Sequence, residues 1–377
     1  MKLLHTSDWH LGMSFRGRSS AEDQEYFTEQ ICSIIKERKI DAVIISGDVF
    51  DRNLASGEAV ALYDRIMTRI VGEMNTPVLS VAGNHDSAER LSQCHELLKK
   101  SGLYVAGSLS EDFMTFESDD AQIFLIPWFT TEKARSVFHE RTSEINSLED
   151  AWIVVASKIK AKFKCDKKHI LVTHAFIVNA ETSVSDRAAE VGFATAVGKA
   201  VFDGFDYVAL GHIHKHQDIG ENIAYCGTPM PYSFGKEEKQ EKGIIVIDTD
   251  DMTKEFVTLK PLHRRTTLAG TYDEILKADY PEDVKNGYVR LEVNDSYVGA
   301  DAMAQFSEKY PLLIEVKGKD YDSDEADITM SMEDFEKMAD NPVDIFREFC
   351  REVKHDFTDE RLSFFKQALS EYTEEDK

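Results

Sequence analysis

Ala42-Val43-Ile44-Ile45-Ser46-Gly47-Asp48-Val49-Phe50-Asp51-Arg52 is the stretch on whose reading the fold turns. Val43, Ile44 and Ile45 are a short, β-branched, wholly apolar run, which suits a strand covered on both faces. Gly47 allows a sharp backbone turn at its end. Asp48, and then Asp51, are thereby delivered at the carboxyl edge of a sheet, where open α/β folds bind their ligands. A Gly-Asp pair standing alone would read equally well as a turn or a helix cap. The rest of the chain decides between the two.

Upstream, residues 2–6 read as a strand running into Asp8-Trp9-His10. If the backbone stays extended there, side chains two residues apart point the same way and can share a cation. Tyr26, Ile31, Ile34 and Ile35 recur at helical spacing within 21–39, which predicts a crossover helix into the Asp48 strand. Downstream the pattern repeats: helix 57–74, strand 77–81, then Gly83-Asn84-His85-Asp86 ahead of a helix at 88–100. Strands follow at 103–106 and 123–127, with a helix within 148–163. Strand 168–173 then ends in His174, and strand 207–210 ends in Gly211-His212-Ile213-His214. Five apolar strands thus end in metal-type side chains, on a chain with only 12 histidines. One such ending is unremarkable, but five at successive strand ends predict a two-metal site. Its oxygen and imidazole donors, with no thiolate, suit manganese, iron or zinc alike.

The five blocks Asp8-Trp9-His10, Gly47-Asp48-Val49-Phe50-Asp51, Gly83-Asn84-His85-Asp86, Thr173-His174 and Gly211-His212-Ile213-His214 resemble the signature of the calcineurin-like metallophosphoesterases. Residues 1–12, 205–212, Gly227-Thr228-Pro229 and Tyr232-Ser233-Phe234 are similar, more narrowly, to the DNA nucleases of that family, over about residues 1–247. The resemblance implies that Asp8, His10 and His214 hold one metal, that Asn84, His174 and His212 hold the other, and that Asp48 bridges them. It assigns His85 to transition-state stabilisation or leaving-group protonation, with Asp51 or Asp86 as its orienter. Two divalent ions are implied, manganese foremost with iron or zinc as alternatives. The implied activity is 3′–5′ exonuclease on duplex DNA and endonuclease on single strands and hairpins, in repair, recombination and replication. The implied partner is an ABC-type ATPase with a coiled coil, joined by a homodimer of the nuclease in a heterotetramer, cytoplasmic and nucleoid-associated. Two divalent ions against the charges of Asp8 and Asp48 leave about +2, enough to attract a phosphodiester.

That local charge matters because the chain as a whole is acidic, with 69 Asp and Glu against 44 Lys and Arg, a net charge of −25. An acidic surface repels nucleic acid. The last 57 residues contribute −11 of it, so much of the imbalance is a property of the tail. No stretch reaches membrane-spanning length, and the opening turns polar too soon for a signal peptide, so a cytoplasmic protein is expected. Cys32, Cys94, Cys165, Cys226 and Cys350 are scattered without a C-x-x-C pair, as reduced thiols would be.

The expected architecture is an α/β, two-sheet β-sandwich metallophosphoesterase core flanked by helices over residues 1–260, with 243–248 and 255–259 closing the second sheet. A small α+β capping domain at 261–320 follows, with strands at 266–271, 287–293 and 312–317 and a helix at 299–310. An acidic linker occupies 321–340. Amphipathic helices at 341–353 and 358–372 end the chain, showing Ile345, Phe346, Phe349 and Val353 on one and Leu362, Phe364, Phe365, Ala368 and Leu369 on the other. Such faces either fold back on the cap or dock on a partner, for which the resemblance implies the ATPase coiled coil. The segment 235–242 is unusually charged against what the resemblance leads one to expect there, a departure that bears on local DNA contacts and not on the metal site. Alternatives to the nuclease are a phosphoesterase for phosphoproteins or cyclic nucleotides, and a non-catalytic DNA clamp.

Overall fold

The computed structural model describes residues 1–15, 17–178, 180–182, 185, 196–295, 300–318, 358, 362–363 and 365–366. Two six-stranded sheets lie face to face among the described residues. In the first, Lys2–Thr6, Ala42–Ile45, Val78–Val81 and Leu103–Ala106 run parallel in that order. In the second, Ala121–Ile126, Lys168–His174, Tyr207–Gly211 and Ile223–Tyr225 run parallel, with the antiparallel strands Met114–Glu117 and Gln217–Asp218 at the edges.

Period-two alternation explains why these strands are apolar on both sides. Leu3, Ala42, Ile44 and Leu79 point inward, against Ile123, Leu125, Ile170, Val172 and Ala209 of the opposite sheet. Leu4, Val43 and Ile45 point outward, beneath Phe27, Ile31, Leu62 and Ile66 of helices Ala21–Arg38 and Gly57–Met67. On the far side Phe124, Leu171, Val208 and Leu210 are covered by Trp152, Val155 and Ile159 of helix Leu148–Lys160, which opens on a Ser147–Asp150 capping box.

Three expectations are corrected. Gly243–Asp248 and Thr253–Thr258 close the first sheet rather than the second, because Gly243–Asp248 pairs antiparallel with the otherwise open edge of Lys2–Thr6. The helix expected over 57–74 changes to π-helical winding at Thr68–Glu73. The one expected over 88–100 is broken into Ala88–Leu91 and His95–Lys99. Ser92 Oγ bonds back to the Ala88 carbonyl at 2.6 Å, competing with the helix for that acceptor, and Cys94 turns left-handed at φ 59°.

Arg265–Gly270, Tyr288–Val293 and Leu313–Gly318 form a three-stranded sheet accompanied by helices Tyr272–Lys277, Glu282–Lys285 and Ala300–Lys309. Chain contacts group Met1–Glu292 with Gly299–Val316, and Val293–Val298 with Lys317–Lys377. Within the first group, Asp23 on the long first helix accepts from the Tyr288 hydroxyl at 2.7 Å and from the His263 amide and Nδ1 at 3.2 and 3.1 Å. The tail helices expected at 341–353 and 358–372 fall outside the described residues, apart from positions 358, 362–363 and 365–366. No helix among the described residues is long and apolar enough to cross a membrane.

Candidate metal centre

The ends of the central strands meet at one place, but not through extended backbone. Asp8, His10, Asp48 and His212 have φ of 52°, 45°, 49° and 104°, so Asp8 and His10 converge by turning left-handed, contrary to the extended geometry expected of Asp-x-His. Each such non-glycine residue costs about 1–3 kcal/mol unless its surroundings enforce it. Here the loops enforce one another: Asp8 N donates to Gly47 O and His10 N to Asp48 O, both at 3.0 Å, and Leu11 N to Val49 O at 2.9 Å. Gly83 is needed for closeness, since a Cβ there would lie 2.1 Å from Asp48 Oδ1.

Two groups of donor atoms result. Asp8, His10 and His214 bring ligand atoms within 4.8 Å of one another, and the Nε2 atoms of His10 and His214 face each other at 3.1 Å. Asp8, Asp48 and His174 form the second group. Around it, His174 Nε2 lies 2.9 Å from Asn84 Oδ1, 3.3 Å from Asp48 Oδ2 and 3.2 Å from His212 Nδ1, and His212 Nδ1 is 3.1 Å from Asn84 Oδ1. His174 Nδ1 donates to the Ser46 carbonyl at 2.8 Å, which leaves Nε2 to face the centre. Asp48 Oδ2 stands between the groups, also 3.9 Å from His10 Nε2.

The electrostatics are those of a site made for cations. Burial, reinforced by Asp48, pushes the Asp8 carboxyl up to about 8. Burial holds the His10 and His214 imidazoles well below their ordinary value. Burial would lift Asp48 too, but His174, His10 and His85 hold it well below the usual carboxylate range. His10 Nδ1 is buried without a hydrogen-bond partner. A buried set of imidazole nitrogens and carboxylate oxygens with no thiolate, in which His10 Nε2 faces His214 Nε2 and Asp48 Oδ2, fits divalent cations of the manganese, iron and zinc type.

His85 stands beside these groups. Its Nδ1 is 2.8 Å from the Asp51 carbonyl, its ring is 4.7 Å from that of His10, and its Nε2 is 4.0 Å from Asp48 Oδ2. Of the expected orienters, Asp51 meets His85 through its main-chain carbonyl, with its carboxylate gathered in one group with His10 and His85. The Asp86 carboxylate instead accepts from Val49 N, Phe50 N and Gly83 N at 3.1, 2.8 and 2.9 Å, binding the Asp48 loop to the Asn84 loop. Burial, with Asp48 nearby, pushes it up to about 6. The Asp51 side chain lies 3.9 Å from His10 Nδ1, in a group with His10 and His85.

Two supports lie outside the five sequence blocks. Gln24 Nε2 donates to the His10 carbonyl at 2.7 Å and the Trp9 carbonyl at 3.3 Å, and the Tyr232 hydroxyl donates to the Trp9 carbonyl. A glutamine inside an amphipathic helix gives no hint that it grips a loop in front of it.

The chain is 29% identical over 329 residues to the SbcD subunit of the nuclease SbcCD of Staphylococcus epidermidis, spanning 86% of this chain and 87% of that protein. Among solved structures it aligns with TT1561 of Thermus thermophilus, at TM-score 0.40 and 14% identity over 69% of this chain and 99% of that one. It also aligns with the calcineurin-like phosphoesterase YfkN of Bacillus subtilis, at TM-score 0.36 and 12% identity over 68% and 88%. Residues 1–216 match the calcineurin-like phosphoesterase model, more than half of the chain, and the protein belongs to that family.

Proposed function

We propose that this chain is a two-metal DNA nuclease that works with an ABC-type ATPase. The observation that carries the chemistry is the position of Asp48 Oδ2 between two groups of nitrogen and oxygen donors. The similarity to the SbcD subunit of the nuclease SbcCD across 86% of the chain supports DNA as substrate and the ATPase as partner.

Asp8, His10 and His214 hold one divalent ion, Asn84, His174 and His212 the other, and Asp48 serves both; manganese is the foremost candidate. Ions bound there supply Lewis acidity and lower the pKa of a nucleophilic water. Asp8 and Asp48 contribute the only negative charge among these seven ligands, so the loaded centre stays positive and draws a phosphodiester toward an acidic chain. His85 Nδ1–H donates to the Asp51 carbonyl, which fixes the ring, and as the doubly protonated imidazolium it would give its Nε2 proton to the departing oxygen. Residues 1–260 are the nuclease domain and 261–320 the cap that shapes the DNA groove, while 321–340 link to the ATPase-docking helices in 341–377. A homodimer within a heterotetramer completes the assembly.

The test is cleavage by the purified chain with manganese of end-labelled linear duplex, hairpins, single-stranded circles and a chromogenic phosphodiester. DNA hydrolysis, 3′–5′ on duplex ends, is expected, and Asp48→Asn should abolish it together with metal retention. Hydrolysis of the chromogenic ester or of phosphoproteins with none of DNA would replace this reading by a small-substrate phosphoesterase. No hydrolysis at all with DNA still bound would indicate a clamp.

A further inference from the structure

The charged segment 235–242 supplies two buried side chains behind His214. Glu237 and Lys242 are both buried and paired at 2.7 Å. Glu237 accepts from several directions: Lys242 Nζ and the Tyr232 amide at 3.1 Å on Oε1, and Ser185 Oγ at 2.8 Å with Ser233 Oγ on Oε2. Two of its partners also reach His214. Ser185 Oγ lies 2.6 Å from His214 Nδ1, and Lys242 Nζ donates to the His214 carbonyl at 2.8 Å.

Proton counting gives this chain a direction. An ionised Glu237 can only accept, so the Ser185 hydroxyl proton points to Oε2. Ser185 Oγ is then an acceptor toward His214, whose Nδ1 must carry the proton. Nε2 is left as a lone pair, facing His10 Nε2 across the centre. We propose that Ser185, backed by the buried Glu237–Lys242 pair, is a positioning residue that sets the tautomer and ring angle of His214, so that Nε2 is presented to a divalent ion. The assignment rests on the two-metal reading above.

A purely structural role for the pair explains less. Burying two charges costs desolvation that apolar residues of similar size would avoid, so stability alone gives no reason for Glu237 and Lys242. Holding a ligating histidine by its second nitrogen does: such outer partners are worth about ten- to a hundredfold in metal affinity. Lys242 fixes the main chain of His214 while Ser185 fixes its ring.

Ser185→Ala tests the proposal without unpairing either buried charge, and Ser185→Thr restores the hydroxyl. In the metal-free full chain, long-range 1H–15N spectra of labelled histidines, with the His214 signal identified from a His214→Gln variant, should show Nδ1–H alone in wild type and in Ser185→Thr. Ser185→Ala should show a mixture of tautomers. Manganese titration should find one of two ions bound about ten- to a hundredfold more weakly in Ser185→Ala, with the threonine variant near wild type and the melting temperature of the metal-free chain unchanged. An unchanged His214 tautomer, or two ions bound to Ser185→Ala as tightly as to wild type, overturns the proposal. Wild-type protein that binds no ion would count against the two-metal reading instead, and the tautomer comparison would still judge Ser185.

Discussion

At the scale of single residues, burial assigns two histidines opposite duties. His85 sits at the margin of the centre with Nδ1 on a carbonyl, so His85→Asn should leave two ions per chain by elemental analysis while turnover falls by about 10²-fold or more. Loss of an ion in that variant would make His85 a ligand. His5 is buried in the sandwich, with Nδ1 2.9 Å from the Tyr207 hydroxyl and Nε2 2.9 Å from Ser46 Oγ. Ser46 Oγ donates to the Ala209 carbonyl at 3.2 Å, so it accepts from Nε2–H, while Tyr207 donates to Nδ1. The pocket therefore suits the neutral ring, and burial lowers its pKa from 6.5 to about 3. Between those values the unfolded chain takes up a proton that the folded chain refuses, so stability falls as the pH falls. Urea unfolding should show wild type losing about 2 kcal/mol more than His5→Gln between pH 7.5 and pH 5. Equal losses would show that His5 is not the titrating group.

At the scale of elements, the first long helix connects the metal loops to the three-stranded sheet. Gln24 holds the carbonyls of Trp9 and His10, and its neighbour Asp23 accepts from Tyr288 and His263. Asp23→Ala leaves the buried Tyr288 hydroxyl and the His263 donors without that acceptor, which should cost about 2–3 kcal/mol. Hydrogen exchange in strand Tyr288–Val293 should speed up while the central strands Lys2–Thr6 and Ala42–Ile45 stay protected. Uniform acceleration would show that helix and small sheet open only with the whole fold. The break between Ala88–Leu91 and His95–Lys99 belongs to this scale too. Its apolar pattern read as one helix, and a serine side chain competing for a carbonyl divided it.

At the scale of the molecule, all seven proposed ligands and His85 precede residue 216, and the tail supplies none of them. A chain ending at residue 320 should therefore keep two ions and hydrolyse a small phosphodiester. If the tail docks the ATPase, that chain should lose co-purification with it and the processing of duplex ends; a lowered melting temperature with parallel loss of every activity would show that the tail merely covers the cap. Phe349→Asp with Phe365→Asp sharpens the test by placing charge on both apolar faces. An intact complex in that double variant would exclude the tail as the docking site.

The sequence by itself determined the strands that carry the candidate ligands, their order in the chain and the donor side chains at their ends, while the strands Met114–Glu117, Gln217–Asp218 and Ile223–Tyr225 went unread. A β-branched run closed by glycine is a local signal, and parallel strands place successive carboxyl ends on one edge. The tertiary structure alone decided which sheet residues 243–258 join, because an apolar strand carries no record of its partner, and here that partner is the strand beginning at Lys2. It also decided the left-handed backbone at Asp8, His10 and Asp48, an unfavourable conformation that persists only because hydrogen bonds from distant loops hold it. For the same reason the links from His214 through Ser185 to Glu237 and Lys242 were invisible in one dimension. Their members lie up to 57 positions apart, and only the closed sandwich brings a serine, a carboxylate and an ammonium behind one imidazole.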